Sequence, residues 1–281
     1  MVPLPHARSR RPRRAPAVLT IVSVAGLALG PAGSAEAQRW VSPDPAGDVT
    51  GAIYSLDPAP CGTITPVDAS AVTDVDLTGL SVRHHRRDVT VELGVSDLPE
   101  TGTELMTVHL RTAKGAWAVD LDRTGRTGFG AFFYEEPDWD ALIEQADPDG
   151  DGCAIVSVVI VETPCAGLGH RGDPDLDVVR LTVPRSCLGR PRWVRAAASA
   201  DAWRETDEAW FSDRWAPEGV EPTSFIGPFG PRVKVGPVAG TQTTAAPGAG
   251  RTAGAPSVVR HLVLTVTPDR VTAVPDPLPA R

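Results

Sequence analysis

The sequence predicts an all-β fold: an antiparallel β-sandwich of jelly-roll or immunoglobulin-like type, with one short helix and a disordered C-terminal tail. Three observations predict it. Apolar and polar residues alternate over many short stretches, which is the period of a strand with one buried face. The 281 residues include 27 glycines and 28 prolines, which favours many turns over long helices. Hydrophobic residues make up 42% of the chain, enough for a sizeable core.

The clearest pair of strands lies at residues 178–183 and 193–198. Apolar and polar side chains alternate in the first, and Pro184 ends it because proline has no N–H to donate to a sheet. A loop that carries Cys187 leads into the second, which begins at Trp193. We expect these two strands to form the rear wall of the sandwich.

Other strands follow the same alternation. They are predicted at residues 49–56, 75–82, 89–95, 106–110, 117–121, 129–134 and 154–161. A slip at Thr78 and Gly79 predicts a β-bulge that restores the register, and short connections favour a β-meander. Because residues 154–161 are apolar on both faces, we expect that strand to lie centrally in the sandwich.

One stretch, residues 139–146, has the pattern of a helix. Asp138 can cap its N-terminus, and Trp139, Leu142 and Ile143 form an apolar stripe on one side.

The regular β-sandwich domain is predicted over residues 72–232. An irregular segment over residues 38–71 precedes it, because several prolines there disfavour a central strand. A low-complexity flexible tail is predicted over residues 233–281, where Gly, Ala, Thr and Pro dominate and little can be buried. Within the tail, residues 258–267 could form a lone strand.

The first 37 residues have the features of a secretory signal peptide. Five arginines precede an apolar run at residues 17–29 that is too short to span a bilayer comfortably, and residues 34–37 (SAEA) offer a small-x-small cleavage site. We expect cleavage after Ala37 and a secreted product, extracellular or associated with the cell wall. A retained N-terminal anchor is the alternative. No second apolar run has membrane length, so no transmembrane segment is expected after cleavage.

Four cysteines in an exported chain predict two disulfides. Of the three possible connectivities we favour Cys165–Cys187, which closes a short excursion between neighbouring strands, together with Cys61–Cys153. A zinc site is the alternative, but the sequence has no C-x-x-C pair.

The charge balance disfavours a nucleic-acid partner. The formal charge is −8, and removing residues 1–37, with five arginines and one glutamate, makes it −12. Such a chain repels nucleic acid and anionic lipid unless it has a local basic patch. The only clustered positive run is residues 84–87 (HHRR), which Asp88 interrupts. We interpret the two histidines as part of a polar turn. A metal bound by both is the alternative, but adjacent strand residues point to opposite faces.

Residues 147–152 (DPDGDG) match the opening of a calcium loop. Asp147, Asp149 and Asp151 stand at its first, third and fifth positions, where hard oxygen ligands can converge on Ca²⁺. The twelfth position is Val158 instead of the glutamate of an EF-hand, so we predict a calcium loop that leads into a strand. The alternative is an acidic turn held by Asx hydrogen bonds.

Trp203, Trp210 and Trp215 are the candidate ligand-binding residues. They lie, with Phe211, among acidic residues. Indole faces can pack on pyranose rings while carboxylates accept hydrogen bonds from sugar hydroxyls. The alternative is that these rings cover one end of the sandwich as part of its core.

No catalytic residue is assigned. The sequence contains no G-x-S-x-G elbow, no H-E-x-x-H and no Gly-rich phosphate loop. Carboxylate pairs such as Glu135 and Glu136 exist, but a glycosidase needs two carboxylates at a separation that sequence does not show.

Several short motifs resemble the opening of DOMON-like and family 9 carbohydrate-binding β-sandwiches. They are residues 44–48 (DPAGD), 73–76 (TDVD) leading into a strand, 89–93 and 97–98. Residues 183–194 are similar to a segment of secreted proteins from high-GC Gram-positive bacteria. The resemblance spans residues 44–200 and implies sugar or haem binding. Met106 and His109 are the only candidates for axial haem ligands, and three residues along a strand place them on opposite faces.

Together these observations predict a non-catalytic extracellular binding module, for a glycan or a cell-wall component, with Ca²⁺ as a stabilising ion. A structural or adhesive cell-envelope protein is one alternative, in which residues 258–267 add to an exposed sheet edge of a partner. A secreted hydrolase is the other.

Overall fold

The computed structural model describes residues 38–55, 63–99, 104–123, 129–146, 154–220, 222, 226–236, 259–267 and 270–275. Within these ranges the chain consists of antiparallel strands and one helix. The predicted all-β class is confirmed. Residues 1–37, the predicted signal peptide, lie outside the described ranges. Among the residues inside them, no helix is long and apolar enough to cross a membrane.

The elements are, in chain order, β1 (Gln38–Pro43), β2 (Thr50–Ser55), β3 (Thr63–Val67), β4 (Leu77–His84), β5 (Asp88–Val95), β6 (Leu105–Arg111), β7 (Ala116–Arg123), β8 (Phe129–Glu135), α1 (Trp139–Ala146), β9 (Ala154–Val161), β10 (Gly169–Asp173), β11 (Val178–Pro184), β12 (Trp193–Arg204), β13 (Ala209–Arg214), β14 (Val233–Lys234), β15 (Val259–Thr267) and β16 (Arg270–Pro275).

These strands form three sheets. The first sheet has the order β1-β4-β5-β11-β10, and the second has the order β3-β2-β13-β12-β6-β7-β8, with β14 also paired to β12. The third has the order β16-β15-β9. The run β6-β7-β8 is a meander as predicted, whereas β5 and β6 belong to different sheets.

The main core lies between the first and second sheets. Alternate residues of β5 and β11 point inward from the first sheet, and alternate residues of β6 and β12 point inward from the second. The fully buried members include Val89, Val91, Leu93, Met106, Val108, Leu110, Val179 and Leu181. Each such side chain contributes about 1.5–3 kcal/mol when it leaves water, so the period-two pattern of the sequence sets which face of each strand is buried.

The predicted bulge near Thr78 and Gly79 is confirmed. Leu77 pairs with Val95 and Gly79 pairs with Gly94, so Thr78 is the extra residue in β4. A Cβ atom at Gly94 would lie 2.6 Å from Thr78 Oγ1, and the glycine therefore makes room for the bulged residue.

The strand at residues 154–161 forms as predicted, but its expected central position is wrong. β9 is an edge strand of the third sheet and pairs with β15. Val159 is 57% exposed, while Ile160 packs beside Tyr134 and Trp139 on the outer face of the second sheet. Apolar residues on both faces therefore did not require burial on both faces.

The predicted domain boundaries also shift. Residues 38–71 contain β1, β2 and β3 instead of an irregular segment, and Pro66 lies in β3, at the edge of its sheet. At the other end, Val233 is a core residue of β14, so the folded region continues past residue 232. The predicted strand at residues 258–267 forms as β15, paired on both sides.

The Cys165–Cys187 disulfide is present, with a sequence separation of 22 residues. It ties the segment before β10 to the loop between β11 and β12. Cys61 and Cys153, the other predicted pair, lie outside the described residues.

Candidate metal centre

Four aspartates converge at one end of the sandwich: Asp44, Asp48, Asp76 and Asp213. One carboxylate oxygen from each of Asp48, Asp76 and Asp213 lies within 4.8 Å of the other two. Asp44 lies beside them, close enough that all three raise the pKa of its carboxyl.

The four residues come from three parts of the fold that link both main sheets. Asp44 and Asp48 lie in the connection from β1 to β2, where Gly47 adopts a φ of 83° that other residues rarely take. Asp76 immediately precedes β4 of the first sheet, and Asp213 lies in β13 of the second. A group held between them would therefore join the two sheets.

Hydrogen bonds fix the carboxylates of Asp76 and Asp213. The Gly47 N–H donates to the two oxygens of Asp76 at 2.9 and 3.1 Å, and Ser96 Oγ donates at 2.5 Å. Asp213 accepts from the Leu77 N–H at 2.7 Å and from the Arg214 N–H at 2.6 Å. Donors of this kind orient the remaining lone pairs before a ligand arrives.

Asp44 presents a buried oxygen without a partner. Its side chain is 7% exposed, and its Oδ1 accepts a hydrogen bond of 2.9 Å from the Ala216 N–H. Its Oδ2 is buried and has no hydrogen-bond partner. Leaving a buried carboxylate oxygen unsatisfied costs on the order of 1–3 kcal/mol, and a cation or a proton would remove that cost.

Burial raises the pKa of three of the carboxyl groups, those of Asp44, Asp48 and Asp213. Burial raises the pKa of Asp44 to about 8, and the neighbouring carboxylates act in the same direction against the hydrogen bond from Ala216. Burial likewise raises the pKa of Asp213 to about 7. Near neutral pH the cluster therefore retains protons that a divalent cation would displace.

The spacing of the carboxylate oxygens is compatible with a bound Ca²⁺ ion. Ca²⁺ binds carboxylate oxygens at about 2.3–2.6 Å, so oxygens around one ion lie at most about 5 Å apart. The mutual distances within 4.8 Å satisfy this limit. Zinc prefers nitrogen and sulfur ligands, and the cluster, among the described residues, consists of aspartates.

This centre differs from the calcium loop expected from the sequence. Asp147, Asp149 and Asp151 lie outside the described residues, so that loop stays a prediction. The centre instead combines the DPAGD and TDVD motifs with Asp213. Both motifs belong to the resemblance described above, which implies no metal ligands in them. Nothing in the sequence predicts Asp213 as a ligand, because it is a single acidic residue in a strand far along the chain.

The three candidate tryptophans do not lie on one surface. Trp203 is 42% exposed and Trp210 is 7% exposed, with ring centroids 6.2 Å apart on the outer face of the second sheet. Trp215 is 1% exposed and belongs to the main core. The platform of three indoles is therefore corrected to one exposed ring beside a buried one, because Trp215 has no surface to offer a ligand.

A hydrogen-bond network holds Trp210 in place. The Oδ1 atom of Asp201 accepts from Trp210 Nε1 at 3.3 Å, from Ser212 Oγ at 2.7 Å and from the Arg214 guanidinium at 3.1 Å. This arrangement satisfies a buried carboxylate and orients the strand side chains, which is a structural role.

A second buried network lies on the same outer face, near α1. The His109 ring approaches Glu136 Oε1 at 2.5 Å, and Trp139 Nε1 donates to the same oxygen at 3.2 Å. Met106 lies in the main core while His109 faces outward from it. The prediction that these two side chains occupy opposite faces is confirmed.

The chain matches no protein-family model, no curated protein and no solved structure. The support for a function therefore comes from the geometry of the chain itself.

Proposed function

We propose that this chain is a non-catalytic extracellular binding module whose β-sandwich is stabilised by a calcium ion at the aspartate centre. The observation that carries the proposal is the convergence of Asp48, Asp76 and Asp213 within 4.8 Å, beside the unpartnered buried oxygen of Asp44. Without a cation, four carboxylates gathered in one place lower the stability of the fold, because their charges repel one another and are removed from water.

Calcium would act on stability, because its ligands come from both sheets. An ion bound at the centre joins the β1–β2 connection, the start of β4 and the strand β13. An ion that binds only the folded chain stabilises it by about 2.7 kcal/mol at a hundred times its Kd. Extracellular modules bind calcium with a Kd of about 10⁻⁴–10⁻³ M, which suits the exported product that the sequence predicts.

Of the alternatives, the adhesive protein requires residues 258–267 to add as a strand to the sheet edge of a partner. Residues 259–266 already pair with β9 on one side, and residues 262–267 pair with β16 on the other. Both backbone edges are therefore occupied within the chain over residues 262–266. No described feature favours a hydrolase over a binding module.

The test is thermal unfolding of the full chain with and without calcium. After treatment with EDTA, excess CaCl₂ is expected to raise the Tm by about 5–10 °C, since 1 kcal/mol shifts the Tm of a chain of this size by about 2–4 °C. Asp213→Asn and Asp76→Asn are expected to abolish the increase. Asp97→Asn changes an exposed aspartate next to Ser96, the residue that donates to Asp76; it is the matched control and is expected to keep the increase.

A second variant separates the two calcium hypotheses. Replacing Asp147, Asp149 and Asp151 together by Asn leaves the aspartate centre intact. If the increase in Tm disappears in this variant and persists in Asp213→Asn, calcium binds at residues 147–152 and the proposal for the aspartate centre is wrong. Equal melting temperatures of the wild type in EDTA and in calcium would also contradict it.

A further inference from the structure

Basic side chains gather at the end of the sandwich opposite the aspartate centre. β4 starts next to Asp76 and ends at His84, and its eight residues separate the two ends by roughly 25 Å. We call the second end the basic end and define it by its exposed cations. They are Arg86, Arg87, Arg111, Lys114, Arg190, Arg192, Arg232 and Lys234.

Direct contacts hold the two central loops of the basic end together. The Arg185 guanidinium donates to the backbone oxygen of Arg86 at 2.8 Å and also to that of Pro191. The Arg185 backbone N–H donates to the oxygen of Arg87 at 2.9 Å. The β4–β5 turn and the β11–β12 loop therefore form one surface, and the Cys165–Cys187 disulfide anchors that loop.

Two further segments complete the surface. β14 pairs with β12 through Trp193 and Lys234, and the Gly236 N–H donates to the His84 oxygen at 3.1 Å. The β6–β7 turn lies against the β11–β12 loop, because a Cβ atom at Gly189 would lie 3.4 Å from Lys114 Cγ. Four segments that are distant in the sequence thus bring their charges together.

Among the described residues, no ion pair includes a cation of the defined set. The ion pairs there involve Arg83, Arg171, Arg180, Arg204, Arg214 and His109. Asp88 is the one carboxylate within the four segments. The guanidinium of Arg111 lies 4.3 Å from the ring centre of Phe229, and that of Arg232 lies 4.3 Å from the ring centre of Trp193. Such stacking fixes a guanidinium without cancelling its charge.

Crowding of positive charge is visible at Arg185. Partial burial lowers the pKa of its guanidinium, and the neighbouring Arg190 acts in the same direction. An anionic group bound nearby would relieve this repulsion.

We propose that the basic end binds an anionic polysaccharide, whose repeated carboxylate or phosphate groups pair with its exposed arginines and lysines. Guanidinium groups suit this chemistry, because each presents a planar fork of donors to a carboxylate or a phosphate. The inference rests on the proposed binding function and names its ligand class, but it does not depend on the calcium centre.

Two other kinds of anionic partner fit less well. The chain has a net charge of −8, so a long nucleic-acid duplex would extend from the basic end towards an acidic remainder. A membrane surface is usually held by apolar side chains as well as by cations. The large exposed apolar side chains of the described residues are Val41, Val159, Val161, Leu176, Trp203 and Val220, and none of these belongs to the four segments. A flexible glycan can bind within the basic end alone.

The experiment measures binding of the full chain to immobilised polygalacturonate, which carries carboxylates, and to a glycerol-phosphate teichoic acid, which carries phosphates. Neutral dextran, duplex DNA and phosphatidylglycerol vesicles are the comparison surfaces. Binding to one or both anionic glycans, stronger than to the comparison surfaces and weakening with added NaCl, is the expected result. The two glycan arms identify which anionic group is recognised.

Matched variants locate the site. Arg86→Gln/Arg190→Gln removes two charges from the basic end and is expected to weaken binding at least tenfold. Arg171→Gln/Arg180→Gln removes the same charge from the first sheet, outside the four segments, and is expected to change binding less than twofold. Equal losses in the two variants, equal binding to dextran, or preferred binding to DNA or vesicles would overturn the proposal. Binding is expected to persist in EDTA and in Asp213→Asn, so a failure of the calcium proposal leaves this test intact.

Discussion

Trp40 in β1 and Trp215 just after β13 meet edge to face, with ring centroids 5.2 Å apart and an angle of 89° between the planes. The contact joins the edge of the first sheet to the chain as it leaves the second. Pairs of this geometry contribute about 0.5–1.5 kcal/mol beyond the area they bury. Gly230 lies directly against the Trp40 ring, and a Cβ atom at that position would overlap it. This packing therefore depends on a residue without a side chain.

Gly230→Ala is expected to lower the free energy of unfolding by about 1–3 kcal/mol, because the added methyl group must displace Trp40 from its contact with Trp215. Urea denaturation followed by tryptophan fluorescence measures it. The control is Gly169→Ala, where the nearest atom to the added Cβ would be Thr182 Cβ at 3.8 Å. Equal free energies for the two variants would show that Trp40 moves without cost.

Trp215→Ala and Trp203→Ala separate the core indole from the exposed one. Loss of the buried Trp215 leaves a cavity and is expected to lower the free energy of unfolding by about 3–5 kcal/mol. Trp203→Ala is expected to cost about 1 kcal/mol or less, since it loses mainly a tilted contact with Trp210. Chemical denaturation of both variants provides the comparison. A larger loss for Trp203 would contradict the assignment of the two rings.

The stability of the metal-free chain is expected to fall as the pH rises. An unfolded aspartate has a pKa near 3.9, whereas the folded pKa is about 8 for Asp44 and about 7 for Asp213. Between these values the folded chain holds more protons than the unfolded chain. The folded state is therefore penalised increasingly as the pH rises from about 4 towards 8.

Melting temperatures in EDTA at about pH 6 and pH 8 measure this dependence, and the lower pH should give the higher Tm. Asp213→Asn should flatten the dependence, because it removes one of the two groups. Calcium should raise the Tm more at pH 8 than at pH 6, since fewer protons compete for the carboxylates. A Tm in EDTA that rises with pH in the wild type and in Asp213→Asn alike would contradict the shifted pKa values.

Removal of the Cys165–Cys187 bridge is expected to destabilise the fold by about 3 kcal/mol, the loss of chain entropy associated with a loop of this length. Cys165→Ser/Cys187→Ser and the wild type are compared by denaturation without reductant. The variant should also bind anionic glycans more weakly, because the bridge anchors the loop that carries Arg190 and Arg192. An unchanged free energy of unfolding in the variant would contradict this expectation, because it would show that the bridge does not restrict the unfolded chain more than the folded one.

Local patterns in the sequence predict the strands better than their partners. The alternation in β5 and β11 and the capped apolar stripe of α1 are visible from neighbouring residues, and these elements form as expected. The sequence of β13 predicts an aromatic surface, because its tryptophan and phenylalanine lie among polar residues, whereas both rings are buried in the strand. The pairing of β5 with β11, distant in the sequence, depends on the packing of two sheets. The expected central position of β9 is wrong for the same reason, because its partner β15 is distant in the sequence.

The candidate sites also depend on contacts between segments that are distant in the sequence. Asp44, Asp48 and Asp76 belong to short motifs that the sequence displays, but Asp213 joins them only when the second sheet packs on the first. The basic end is hidden in a chain with a formal charge of −8, because its cations come from four segments. A run of like charge is visible in a sequence, but the one basic cluster after the predicted signal peptide, residues 84–87, supplies only Arg86 and Arg87.

The pairing of β9 with β15 has a consequence for how the protein matures. β15 follows β9 by roughly 100 residues in the chain, so β9 lacks this backbone partner until β15 has been synthesised. Contacts between such distant segments form slowly, and an unpaired apolar edge invites association with other nascent molecules. The segment around β15, which the composition predicts to be a flexible tail, therefore supplies the backbone partner that closes this edge of β9.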